Sequence, residues 1–284
     1  QFIVPISEYA IYNWQGPNGF TSTEPNPVIT DLSFLNDGVY TLSVALLDSS
    51  CIYDNITDTI KILGLPQNNI DSIVNVTCNG FDNGQIAISP DGVGPFEINW
   101  SNNLSDSLIT SLAPGIYGLE LIDSNACKNT FTYEITEPDL LISSATILTD
   151  FNGFNVSCFA DSNGSAEVIY SGGTSPYEVL WSNGDTTDVA DSLEVGTYNV
   201  LITDTNACEV NASVTLVQPT LLELSTDSSA VSCFGGDDGF IDLTVIGGVP
   251  TYTFAWSNTE TEEDLDSLIS GAYSVVVTDL NGCS

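Results

Sequence analysis

The chain has 284 residues, of which 38 are acidic and only Lys61 and Lys128 are basic; it has no arginine and no histidine, and its formal net charge is −36. Such a chain lacks the cations that displace counterions from nucleic-acid phosphates or that dock on an anionic membrane, and it can build neither a Ser-His-Asp triad nor an imidazole metal site. With 42% hydrophobic and 10% aromatic residues it can still bury a core. No apolar run approaches the ~18 residues of a membrane-spanning helix. Position 1 is Gln and the chain has no methionine, so a removed leader or an excerpt from a longer chain is expected.

In chain order, the first segment, 1–66, carries Trp14, Tyr40 and Cys51 and reads as a divergent unit. Three fuller units follow, over 67–138, 139–219 and 220–284. Each has a first cysteine (Cys78, Cys158, Cys233), reaches a tryptophan 22 or 23 residues later (Trp100, Trp181, Trp256), a tyrosine 17 residues after that (Tyr117, Tyr198, Tyr273), and a second cysteine after ten more (Cys127, Cys208, Cys283). Self-similarity at this period marks an array. Within each unit the apolar period is two. Ile86/Ile88, Phe96/Ile98/Trp100 and Tyr117/Leu119/Leu121 recur as Ala166/Val168/Tyr170, Tyr177/Val179/Trp181 and Tyr198/Val200/Ile202. They recur again as Ile241/Leu243/Val245, Tyr252/Phe254/Trp256 and Tyr273/Val275/Val277. Alternation bounded by Gly, Asn, Asp and Pro predicts half-buried antiparallel strands, and the fold class is all-β: a tandem array of Ig-like sandwiches.

A Leu-x-x-Gly-x-Tyr motif at Tyr40, Tyr117, Tyr198 and Tyr273 predicts a tyrosine corner, with the hydroxyl bonded back to the corner backbone. Leu65-Pro66, Glu137-Pro138 and Gln218-Pro219 close the units, since proline cannot donate to a ladder and biases its predecessor to extended geometry. Alternating closing strands are expected over 130–136 and 211–217. The last unit stops one residue after Cys283 and the first begins without an opening strand. The chain is therefore expected to continue in both directions, the rival being strand donation from a neighbouring subunit.

The string Val-Thr/Ser-Cys, Asx-Gly, Gly-Gly-x-x-Pro-Tyr, Trp-Ser-Asn-Gly, Leu-x-x-Gly-x-Tyr, Asp-x-Asn-x-Cys resembles the SprB repeat family over about residues 70–284. It is fullest between Val156 and Cys208. The first full unit departs from it, with Asp91-Gly92-Val93-Gly94-Pro95 at the Gly-Gly turn, and the N-terminal segment is more similar to a PKD or generic Ig-like module. The resemblance implies a very long, exported, extracellular or cell-surface chain of Bacteroidota, handled by type IX secretion, of the kind that includes a gliding adhesin.

In that setting the cysteines are expected to form one bridge per unit, Cys78–Cys127, Cys158–Cys208 and Cys233–Cys283, leaving Cys51 without a partner in this segment. Such bridges would bring together the turns at Asp82, Asn83, Asp161, Asn163, Asp237 and Asp238 with the loops at Asp123, Asn125, Asp204, Asn206, Asp279 and Asn281. Their oxygens could hold Ca²⁺, although the same residues are ordinary hairpin-turn formers. No other cofactor is expected. A recurring Asp-Ser-Leu at Ser107, Ser192 and Ser267 resembles the Bacteroidota O-glycosylation consensus, as do Thr59, Ser72 and Thr186.

The acids repeat at equivalent turns and define no unique cleft, so no enzyme activity is expected. The expected role is an acidic scaffold for adhesion or gliding, whose partners are neighbouring domains or filament subunits and surface polysaccharide, with no nucleic acid and no membrane insertion. The rival is a carbohydrate-binding array. It would need exposed tryptophans, whereas Trp14, Trp100, Trp181 and Trp256 fall in phase with core residues.

Overall fold

A computed structural model of the chain describes residues 10–46 and 52–284. Cys51 lies outside them. The described residues form two compact units, one comprising residues 10–46, 52–71, 88–107 and 118–132, the other 72–87, 108–117 and 133–284. The division crosses the 67–138 segment. No described helix is long and apolar enough to cross a membrane.

The N-terminal strands are β1 (Ala10–Gln15), β2 (Thr21–Ser22), β3 (Gly38–Leu46) and β4 (Ile52–Ile60), in one antiparallel sheet of order β2-β1-β3-β4. Tyr12, Trp14 and Leu42 form its buried face. The next segment holds β5 (Gln67–Val74), β6 (Gly84–Asp91), β7 (Glu97–Trp100), β8 (Leu108–Leu112), β9 (Gly115–Ile122) and β10 (Lys128–Ile135). β6 pairs with β8 and β7 with β9, both antiparallel.

The 139–219 segment shows the plan most fully. Strands β11 (Ile142–Ile147), β12 (Gly164–Ser171) and β14 (Val189–Leu193) make one sheet; β13 (Tyr177–Trp181), β15 (Gly196–Asp204) and β16 (Glu209–Leu216) make the other. Alternation puts Ala166 and Val168 from one sheet against Val179, Trp181, Val200, Ile202, Val214 and Leu216 from the other, all in one buried cluster. The last segment repeats this with β17 (Glu223–Ser229), β18 (Gly239–Ile246) and β20 (Leu265–Leu268) in one sheet, and β19 (Thr253–Trp256) with β21 (Val275–Thr278) in the other. Its core is correspondingly smaller: Leu243, Trp256, Leu265, Leu268 and Val277.

Three sequence signals acquire a structural cause. The tyrosine corner is present in every segment: Tyr40, Tyr117, Tyr198 and Tyr273 donate to the carbonyls of Asn36, Ala113, Glu194 and Ile269, each four residues upstream, at 2.8–3.2 Å. The tryptophans are core. Trp100, Trp181 and Trp256 are buried, and each indole N–H donates to the carbonyl six residues on, at Asp106, Thr187 and Glu262. That satisfies the only polar atom an indole takes into a core.

The third signal is corrected. Ser192 and Ser267 sit at a β-bulge, with φ of 58° and 53°, where the pairing slips opposite Gly164 and Gly239. The residue at that place in the preceding segment is Ser111 (φ 57°), not Ser107. The sequence equivalence of Ser107 with the other two is therefore wrong. What recurs is a Ser-Leu pair in which the serine takes the bulge and the leucine (Leu112, Leu193, Leu268) is buried.

Candidate functional site

The Asx turns at Cys78 and Cys158 and the loops at Cys208 and Cys283 converge on one recurrent structure, the joint between successive repeats. Two loops build it.

The first is the Asp-x-Asn-x-Cys loop. Asp204 is 5% exposed, and its Oδ1 accepts the backbone N–H groups of Asn206 (2.8 Å) and Cys208 (2.9 Å), while Oδ2 accepts that of Thr174 (2.8 Å). Burial alone would raise its pKa; the N–H donations from Cys208, Thr174 and Asn206 outweigh that and hold it below the usual carboxylate value. Asp279 repeats the arrangement with Asn281, Cys283 and Val249. Asp123 accepts from Asn125 and Cys127 through Oδ1, but its Oδ2 is buried without a partner. The difference lies in the turn that faces it. Gly172-Gly173 and Gly247-Gly248 all take left-handed φ values between 60° and 80°, whereas Asp91-Gly92 does not reproduce the pair, Gly92 standing at 132°.

The second loop follows each first cysteine. Thr77 N–H donates to Asn83 Oδ1, Ser157 N–H to Asn163 Oδ1 and Ser232 N–H to Asp238 Oδ1, at 2.9–3.1 Å. The Ser157 hydroxyl also donates to Asp161. Hydrogen bonds from Ser232, side chain first and then backbone, lower the Asp238 pKa. These side chains are spent on their own turns, as Asx residues commonly are. Among the described residues no group of three or more His, Cys, Asp or Glu side chains is placed to hold a metal ion. Asp82 and Asp237 are exposed on the same turns.

The bridges join these loops across units, which overturns the expected pairing. Cys78 is bonded to Cys208 and Cys158 to Cys283, each pair with Cα atoms 5.7 Å apart, while Cys127 and Cys233 are free thiols. The first cysteine of one unit is therefore linked to the second cysteine of the next. The Asx turns and the Asp-x-Asn-x-Cys loop brought together are those of neighbouring units, not of the same one.

Polar contacts reinforce each bridge. The Asn206 amide donates to the Thr77 carbonyl (3.1 Å) and to Thr174 Oγ1; the Asn281 amide donates to the Ser157 (2.9 Å) and Phe151 (3.1 Å) carbonyls. Asn152 donates to Asn281 Oδ1. The residue before two of the three linker prolines holds the turn from the other side: Glu137, before Pro138, accepts Gly80 N–H and Gln218, before Pro219, accepts Ala160 N–H. The sequence marked these asparagines as metal ligands and these linker residues only as boundaries. The signal for their role was the recurrence of Asn two residues before the cysteine and of Glu or Gln just before proline.

The hydroxyl positions Thr59, Ser72, Ser107, Thr186, Ser192 and Ser267 are all exposed.

Fold and joint together define a tandem array of antiparallel β-sandwiches in which the 67–138, 139–219 and 220–284 segments are linked in turn by disulfides. Three stretches of the chain, residues 70–105, 154–186 and 225–261, match the SprB repeat family. No curated protein sequence matches the chain. Solved structures to which it is similar include the four N-terminal Ig domains of Dscam1 isoform 4.4 (12% identity, 74% of this chain and 66% of that one, TM-score 0.26). The eight N-terminal Ig domains of Down Syndrome Cell Adhesion Molecule are another (12% identity, 97% and 51%, TM-score 0.28). A third is a three-domain fragment of the bacteriophage RB49 outer capsid protein Hoc (14% identity, 75% and 78%, TM-score 0.34). The chain thus spans about two thirds of the four-domain fragment and half of the eight-domain one.

Proposed function

We propose that this chain is a structural and adhesive segment of a very long secreted cell-surface fibre, built of the units 1–66, 67–138, 139–219 and 220–284 and serving adhesion or gliding after type IX export. The observation that carries this reading is the covalent coupling of successive SprB repeats through buried, backbone-capped loops. Such a joint fixes one repeat to the next and has no use in an isolated domain. Disulfides suit the oxidising exterior of a cell, and 38 acidic residues against two basic ones keep neighbouring fibres apart by repulsion. The exposed serines and threonines at 59, 72, 107, 186, 192 and 267 are the proposed O-glycosylation positions, where a glycan would meet no core. A sugar-binding array is disfavoured by the burial of all four tryptophans.

Immunogold electron microscopy of intact native cells, with antibodies raised against this chain, tests the proposal. Label along threads outside the cell is expected, together with a native mass above that of the polypeptide. Label confined to the cell interior would overturn it.

A further inference from the structure

The joint occurs twice in bridged form, and a third copy of its receiving half stands open. At Cys233 the turn is already built. Ser232 N–H is capped by Asp238 as Thr77 N–H is by Asn83 and Ser157 N–H by Asn163. Gly236 N–H donates to the Cys233 carbonyl as Phe81 and Asp161 do to those of Cys78 and Cys158. The contrast is in what covers it. Cys78 is 5% exposed, whereas Cys233 is exposed. Phe159, one residue after the bridged Cys158, is 48% exposed; Phe234, one residue after Cys233, is 109% exposed, with no neighbour over its ring. A depression lined by Val231, Ser232, Cys233, Phe234, Ile269 and Ser270 opens at this turn.

We infer that the Ser232–Gly236 turn is a receiving site for the Asp-x-Asn-x-Cys loop of a further repeat, which bonds to Cys233 as Cys208 does to Cys78 and Cys283 to Cys158. The two bridged joints supply the chemistry of recognition. The asparagine amide of the incoming loop donates to the carbonyl just before the receiving cysteine, Thr77 in one case and Ser157 in the other, and Ser232 presents that carbonyl here. The incoming aspartate holds the loop in shape through its own N–H bonds. The covalent step is thiol–disulfide exchange. The incoming cysteine arrives as a mixed disulfide with a small thiol such as glutathione; the Cys233 thiolate attacks the loop sulfur, the new S–S bond forms, and the small thiolate leaves and takes up the proton. This goes beyond the cell-surface role proposed above and stands or falls independently of it.

The test offers the intact wild-type protein an equimolar mixture of two peptides spanning residues 202–210, each carried as its glutathione mixed disulfide. One has the native sequence, with Asp204, Asn206 and Cys208; the other has both Asp204→Ala and Asn206→Ala. After equilibration in glutathione buffer, mass spectrometry reads the ratio of the two peptides at Cys233. The free thiol of Cys127, which has no receiving turn, serves as the reference in the same molecule. Loss of the amide donations and of the loop's shape is expected to favour the native peptide at Cys233 by about tenfold, with a ratio near one at Cys127. Equal ratios at the two cysteines would show Cys233 to be only an exposed thiol and would overturn the inference.

Discussion

Replacing Cys283 by alanine separates the two bridge patterns without ambiguity. In the staggered pattern the substitution frees Cys158, which lies 125 residues upstream. In the within-unit pattern it would free Cys233. Alkylation of the unreduced protein followed by peptide mapping reads this directly. The wild type should label at Cys127 and Cys233, and the variant should add Cys158. A stability loss accompanies the change. Closing a loop of about 125 residues lowers the entropy of the unfolded chain by roughly 16 cal/mol/K, or about 5 kcal/mol at 25 °C. A within-unit loop of half that length or less would be worth about 4 kcal/mol, too close to discriminate by stability alone, which is why the labelling decides. Denaturant unfolding followed through the buried Trp181 and Trp256 should show a lower midpoint for the variant, with each sandwich still folded in dilute buffer, because its core is assembled from its own two sheets. Protection of Cys233 in the wild type, with its appearance in the variant, would refute the staggered joint.

Three further outcomes follow from the geometry. Asp204→Asn leaves one of three buried N–H groups facing an amide donor and should cost about 1–3 kcal/mol at neutral pH. Because the Asp204 pKa is lowered in the folded state, its contribution is complete above the unfolded value near 4 and disappears as pH falls through the folded value, so wild type and variant should converge in urea titrations below about pH 4. Gly247→Ala would drive a methyl into the Leu221 carbonyl oxygen at a φ of +78° and should lower the thermal midpoint markedly; Gly184→Ala, at +97° with open space around it, should lose only the conformational part, about 1–2 kcal/mol. Trp181→Ala should cost about 3–5 kcal/mol in chemical unfolding, since it empties the centre of a cluster that includes Val200 and Ile202, neither of them exposed.

The sequence showed clearly whatever depends on side-chain period and local turn chemistry. Trp181 and Val179 point inward because strand residues two apart share a face, and Tyr198 bonds back to Glu194 because its motif lies within one corner. Strand β17 was not legible: Glu-Leu-Ser-Thr-Asp-Ser-Ser is exposed throughout, so no apolar alternation marks it, and only its pairing with β18 makes it a strand. The register slip that makes Ser111 rather than Ser107 the counterpart of Ser192 was hidden for a related reason, since a three-residue match carries no information about which residue opposes Gly84. The bridge partners lay furthest out of reach. Spacing along the chain is the same whether Cys158 bonds forward within its own repeat or to the next, and six cysteines admit fifteen pairings. What selects among them is the direction in which the Asn281 amide reaches, toward Ser157 of the preceding unit, a fact of packing between repeats.

The overlap of the two bridged loops has a mechanical consequence. Cys158 lies inside the loop closed by Cys78–Cys208, and Cys208 lies inside the loop closed by Cys158–Cys283. Pulling on the chain from both sides loads the sulfur bonds before it can pay out slack. If every strand between Cys78 and Cys283 lost its fold entirely, the shortest covalent route would still cross Cys78–Cys208 and then follow the 75 residues from Cys208 to Cys283. At about 3.5 Å per residue that segment could lengthen to roughly 260 Å, against about 700 Å for the same stretch without bridges. The interlocked pair acts as a tether with a built-in stop: domains melted under tension would still leave about two thirds of the chain's contour length in reserve, so refolding starts from a chain that was never fully drawn out.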